Sequence, residues 1–160
     1  MSGMLEKIKL SIYKYKIKKY SDCYFNNVYI SKLENEFHHL DYLLQCENEL
    51  VVVKCYDYEG NIYGAENISE WTQAISYSGY KFENPLRELK EICDLLAKEF
   101  ADKTLVSYAV FADKCVFPKA MPANVIHRST LLSLLKKRYK PGLQKDCSSL
   151  EKFIEASIRT

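Results

Sequence analysis

The sequence predicts a mixed α/β domain, a sheet flanked by helices, and three observations carry that expectation. Residues 23–31 (CYFNNVYIS), 39–46 (HLDYLLQC) and 49–57 (ELVVVKCYD) are successive runs of aromatic and β-branched residues, the composition of strands. Residues 84–100 place Leu86, Leu89, Cys93, Leu96 and Phe100 at three- and four-residue spacing, the period of an amphipathic helix. Residues 104–112 (TLVSYAVFA) form an apolar run bounded by charge, as a strand covered on both faces does. Strands, helix and strand in that order give a layered α/β architecture.

Each element has a local cause. Residues 4–19 read as a helix with Leu5, Ile8, Ile12 and Tyr15 as its apolar stripe and Lys7, Ser11, Lys14 and Lys18 opposite, although Lys14 to Lys18 also alternates as a strand would. The second and third strands meet at a tight turn on Asn48, and Glu59-Gly60 punctuates before a short strand at Asn61-Ile62-Tyr63. Residues 71–82 (WTQAISYSGYKF) read as a hairpin around Ser78-Gly79. Asn84 is placed to cap the next helix, and Pro85 suits its first position. Ser129 opens a helix with Leu131, Leu132, Leu134 and Leu135. Its Lys136-Lys137-Arg138 end complements the helix dipole, and Pro141-Gly142 stops it. Ser148-Ser149-Leu150-Glu151 is a capping box for a last helix over 148–158, with Leu150, Phe153, Ile154 and Ile158 as its stripe.

Composition limits what this domain can be. The chain's 160 residues, 48% hydrophobic and 28% charged, suit one core with a short appended element and exclude a disordered or fibrous protein. The 23 lysines and arginines against 21 acids sum to +2, which by itself names no partner. The longest fully apolar runs are residues 50–53 and 108–112, so no membrane partner is expected, and no apolar signal segment follows the basic first residues. Cys23, Cys46, Cys55, Cys93, Cys115 and Cys147 stand far apart with no C-x-x-C pair, which predicts reduced thiols in a cytoplasmic protein. Adjacent His38 and His39 face opposite ways on a strand, so they do not chelate one ion together.

The order of elements, with the residues on them, resembles the nuclease-related domain family, a branch of the restriction-endonuclease-like PD-(D/E)XK fold. Asn26-Asn27-Val28 looks like the family's first strand and His39-Leu40-Asp41-Tyr42 like its "IDh" strand. The stretch Val51 to Gly64 occupies the family's "viExKxyxGxIyG" strand and turn. Glu70-Trp71-Thr72-Gln73 looks like its "eW" strand, Asn84-Pro85-Leu86-Arg87-Glu88 like its "NPlxQ" helix start, and Val110-Phe111 like the strand that closes the sheet. The resemblance covers residues 4–138 and implies an αβββαβ core with a small strand insertion and an added C-terminal helix. It divides the chain into a nuclease-fold domain over 1–140 and a helical extension over 141–160 packed on the same domain.

The resemblance also implies a site, and the sequence departs from it. Metal-dependent phosphodiester hydrolysis needs carboxylates converging on Mg²⁺ and a cation beside the attacking water. The family supplies an Asp on one strand, a Glu-x-Lys pair on the next and a Gln on the helix. By the resemblance these positions hold Asp41, Lys54, Tyr56 and Glu88, with Glu6 a loose match for an early helical Glu. Lys54 stands where the Glu belongs, and Tyr56 is neutral where the Lys belongs. Two outcomes stay open. Lys54 is neutralised by Asp41 and Glu88 in a closed cluster without metal, or Asp41 and Glu88, with Glu6, hold Mg²⁺ while Lys54 acts as the catalytic cation. Asp57 and Glu59 read as solvated turn residues.

Lys7, Lys9, Lys14, Lys16, Lys18 and Lys19 interleave with Tyr13, Tyr15 and Tyr20, the composition of a nucleic-acid-binding face and equally of a solvated helix. Lys7, Lys14, Lys18 and Lys54 are the candidate phosphate contacts, and His127-Arg128 is a further place for a phosphate. The expectation is a degenerate, non-catalytic nuclease-related domain, without cofactor, that binds DNA, RNA or a protein. The alternatives are an active Mg²⁺-dependent nuclease, and an assembly module in which the aromatic hairpin and last helix meet a partner or a second copy.

Overall fold

The computed structural model describes residues 2–141 and 146–159. Its order is α1 (Ser2–Lys19), β1 (Cys23–Leu33), β2 (Glu36–Cys46), β3 (Glu49–Tyr56), β4 (Gly60–Tyr63), β5 (Glu70–Ile75), β6 (Ser78–Glu83), α2 (Pro85–Glu99), β7 (Thr104–Phe111), β8 (Cys115–Val116), β9 (Val125–His127), α3 (Arg128–Arg138) and α4 (Ser148–Arg159). This is the mixed α/β class the strand and helix patterns predict.

Strands β1, β2 and β3 form an antiparallel meander, its turns two residues long with Asn35 and Glu47 at positive φ. The chain then crosses over through α2, so β7 returns parallel to β3, and β9 adds parallel to β7. The main sheet therefore runs β1-β2-β3-β7-β9, and the insertion forms a second sheet, β6-β5-β4-β8.

Period-two alternation sends β3 into two cores. Leu50 and Val52 pack with Leu89, Ile92 and Leu96 of α2, while Val51 and Val53 pack with Ile17 of α1 and Leu131 and Leu135 of α3. All four β3 residues are fully buried, each burial contributing roughly 1.5–3 kcal/mol. The second sheet joins the α2-side core through Trp71, which stacks near Phe111 and is wedged against Gly64, where a Cβ would overlap the indole. Helix α4 lies on β1, with Leu150 buried and Phe153 edge-on to Phe100.

Three expectations need correction, and two short strands fall outside the predicted set. The stripe Leu5, Ile8, Ile12 and Tyr15 is exposed, because only the second half of α1 reaches the sheet and it does so through Tyr13, Ile17 and Tyr20. The β5–β6 hairpin turns at Ser76-Tyr77, two residues earlier than expected, since Ser76 takes the left-handed conformation and Ile75 pairs with Ser78. Strands β8 and β9 are too short to show a period. Finally, Cys23 and Cys147 form a disulfide, so the thiols are not all reduced; residues 124 apart in sequence meet because α4 packs back on β1. Gly142 and the side chain of Ile158 lie outside the described residues.

Candidate functional site

Strand β3 carries the two positions at which the sequence departs from the hydrolytic pattern, and parity puts Lys54 and Tyr56 on the α2 side. Lys54 reaches α2, where its Nζ donates to Glu88 Oε2 at 2.8 Å. Glu88 lies in the first turn of α2, placed there by the Asn84 cap, whose Oδ1 accepts the Leu86 N–H. Asn84 is fully buried, and its Nδ2 donates to the carbonyls of Glu66 and Ile68 at 2.9 and 2.8 Å, tying the helix start to the preceding loop.

A third group, which the sequence did not mark, completes the cluster. His38 on β2 is buried, its Nδ1 lies 3.3 Å from Glu88 Oε1 and its Nε2 lies 3.6 Å from Glu91 Oε2. Burial works to raise Glu88's pKa, but the hydrogen bond and charge of Lys54, and then those of His38, outweigh it and hold the carboxyl below its ordinary value. Tyr56 stacks on Phe111 with ring centroids 5.0 Å apart. Burial first, and the Glu88 charge second, push its phenol well above the usual tyrosine range, so it stays neutral.

Asp41 does not join this cluster. Asn27, opposite it on β1, has φ 51°, and neither the Asn27–Asp41 nor the Asp41–Lys54 pairing forms. Side-chain alternation slips there: Leu40 and Leu43 both enter the α2-side core while Tyr42 enters the α1-side core. The Asp41 Oδ2 instead accepts the backbone N–H of Cys55 at 2.6 Å, and no ion pair joins Asp41 to Lys54 among the described residues. Asp41 lines a cleft of about 220 Å³ with Lys14, Asn26, Asn27, Cys55 and Arg128. Burial, and then the Asp41 charge, push the Cys55 thiol up to about 12.

Asp41, Glu88 and Glu6 do not fit a shared Mg²⁺ in this geometry. Mg²⁺ needs oxygen ligands converging on one point. Asp41 opens into the α1-side cleft, whereas Glu88 lies in a cavity with His38, Glu83 and Glu91 and is engaged by an ammonium. Glu6 is exposed beside Lys9. Among the described residues no three Asp, Glu, His or Cys side chains are arranged to hold a metal. Of the closed cluster expected for Lys54, Glu88 is present and Asp41 is replaced by His38.

The cations are gathered elsewhere. Helices α1 and α3 lie on one face of the sheet, joined where Tyr13 Oη donates to the Arg128 carbonyl. Ten of the chain's 23 lysines and arginines are on these two helices against one acid, Glu6, giving +9 there and −7 on the rest. Lys7 and Lys18 are exposed, Lys14 is half-buried in the cleft, and Arg128 lies across it 3.9 Å from Asp57. Lys54 is on the opposite side of the sheet from these three lysines. Asp57 is exposed as expected but paired, to Lys114 as well as Arg128. At the far end of α3, Arg138 pairs with Glu49 and Lys140 with Glu47, so part of that basic cluster is structural.

Comparison with known proteins supplies the context. The sequence pattern described as the nuclease-related domain matches residues 6–117. An uncharacterized protein of Bacillus anthracis, pXO1-01, is 32% identical over 80 residues, covering 48% of this chain and 36% of that protein. The matched stretch thus spans about a third of its curated relative's length. No solved structure matches the chain.

Proposed function

Since the chain belongs to the nuclease-related domain family, we propose that it is a restriction-endonuclease-like domain that binds nucleic acid through the α1–α3 face and does not hydrolyse it. The observation that carries the reading is the division of charge, +9 on two helices of one face within a chain of net charge +2. A phosphate backbone is the polyanion such a face fits, with lysines and Arg128 replacing its counterions. Lys7, Lys14 and Lys18 lie along one flank of α1, and Lys14 and Arg128 bracket the cleft. Loss of hydrolysis is supported by the Lys54 ammonium, which occupies Glu88 at the position where the family motif calls for a metal-binding carboxylate.

Fluorescence anisotropy with a labelled oligonucleotide tests this. Four phosphate contacts, at Lys7, Lys14, Lys18 and Arg128, give a log–log salt slope of about −3, or about a hundredfold loss of affinity between 50 and 200 mM salt. Lys14→Ala with Arg128→Ala should bring the slope to about −1.5. No binding of single- or double-stranded DNA or RNA at low salt overturns the reading and favours an assembly module.

A further inference from the structure

Helix α1 carries two apolar stripes, and only one is used. At helical spacing Leu10, Tyr13, Ile17 and Tyr20 share the side that meets the sheet. Met4, Leu5, Ile8, Ile12 and Tyr15 fall on the other side, within an arc of about 100°. Those five are 72%, 52%, 50%, 50% and 66% exposed, and residues 3–12 are exposed throughout, so this half of the helix stands clear of the domain. Lysines border the outward stripe on both sides, Lys7, Lys14 and Lys18 along one edge and Lys9 and Lys16 along the other, and Lys19 closes the stripe one turn beyond Tyr15. A solvated surface helix has no use for such a stripe, and phosphate contacts alone do not require it.

The rim decides which occupant fits. In a symmetric pairing of two copies through this stripe, lysine edges would face lysine edges, and like charges would oppose the contact. A lipid surface carrying negative headgroups meets both features at once: the apolar residues enter the acyl boundary, and the lysines, whose stems bury while their ammonium groups reach outward, lie at headgroup level. The other cations of the same face, on α3, add to the attraction. No helix among the described residues is long and apolar enough to cross a membrane, so contact of this kind is in the plane of the interface. We propose that the outward stripe of α1 docks the protein on anionic membrane surfaces, with the helix lying along the headgroup layer.

Co-sedimentation with vesicles of phosphatidylcholine containing phosphatidylserine tests the proposal, with pure phosphatidylcholine vesicles as control. Binding is expected only to the anionic vesicles and should weaken as salt rises. Leu5→Gln with Ile8→Gln and Ile12→Gln keeps the lysines and the helix-forming tendency, and should lower partitioning by at least about tenfold. The same variant should bind the oligonucleotide as the wild type does, which separates the lipid proposal from the nucleic-acid reading. Circular dichroism shows whether the variant is folded. Three results overturn the proposal: no binding to anionic vesicles, binding that the glutamine variant retains, or a dimer in sedimentation equilibrium that this variant dissolves. The last would assign the stripe to a second copy. Capture by an acidic helical peptide with no vesicle binding would assign it to a protein.

Discussion

Replacing Lys54 by methionine keeps an unbranched stem of similar reach and removes the ammonium that Glu88 accepts from at 2.8 Å. The Lys54 and Glu88 side chains are 19% and 31% exposed, so the pair is neither dry nor freely solvated. A hydrogen bond between charged groups contributes about 1.5–3 kcal/mol, and breaking a fully buried pair costs about 3–5 kcal/mol. With water reaching both groups and His38 still beside Glu88, Lys54→Met should cost about 2 kcal/mol. For a chain of this length that is a fall in Tm of about 4–8 °C. A double-mutant cycle with Glu88→Gln, measured by urea unfolding, should give a coupling of about 1–2 kcal/mol. The pH dependence has a fixed sign. Glu88's folded pKa is held below its ordinary value of 4.5, so its contribution is fully present above about 4.5 and is lost as pH falls through the folded value. The stability gap between wild type and Glu88→Gln should therefore close as pH falls below about 4.5. A coupling near zero, or a gap that acidification leaves unchanged, would refute the ion-pair account.

Three further outcomes follow from the packing. Reducing the Cys23–Cys147 bond, or Cys23→Ser, should lower stability by about 2–5 kcal/mol, read as a Tm shift with and without reductant; no shift would mean the bond does not form in solution. Asn84→Ala removes the cap on α2 and strands the carbonyls of Glu66 and Ile68, at a cost of about 3 kcal/mol; a loss below about 1 kcal/mol would show that water takes over its bonds. Gly64→Ala forces a methyl into the Trp71 indole and should cost about 1–3 kcal/mol, with a changed near-ultraviolet signal from the chain's single tryptophan; an unchanged spectrum and Tm would contradict that contact.

What could be read from the sequence was whatever has a local cause. The three strands carry their own composition, Asn84-Pro85 announces α2, and the Lys54–Glu88 pairing follows from one motif placed on adjacent elements. Spacing alone points to the wrong stripe on α1, for a physical reason. The helix has two apolar arcs on opposite sides, and hydrophobic spacing identifies an arc without saying which one the sheet will cover. The cysteine bridge spans 124 residues and depends on α4 folding back onto β1, which no spacing rule reveals. The family resemblance places Asp41 beside Lys54, as directly opposite residues share a face in a regular antiparallel pair. Asn27's left-handed conformation interrupts the ladder there, and the carboxylate turns to the Cys55 amide. Spacing says of His38 only that it does not chelate an ion with His39, and its pairing with Glu88 across 50 residues leaves no trace there.

Binding of nucleic acid without cleavage is the activity proposed for this nuclease-related domain. Incubating supercoiled plasmid and labelled single- and double-stranded oligonucleotides with the purified protein in Mg²⁺ or Mn²⁺, beside an Asp41→Ala variant, addresses it most directly. Intact substrate is expected with both proteins under conditions where wild-type binding is measurable. Divalent-dependent cleavage by the wild type that Asp41→Ala abolishes would contradict it.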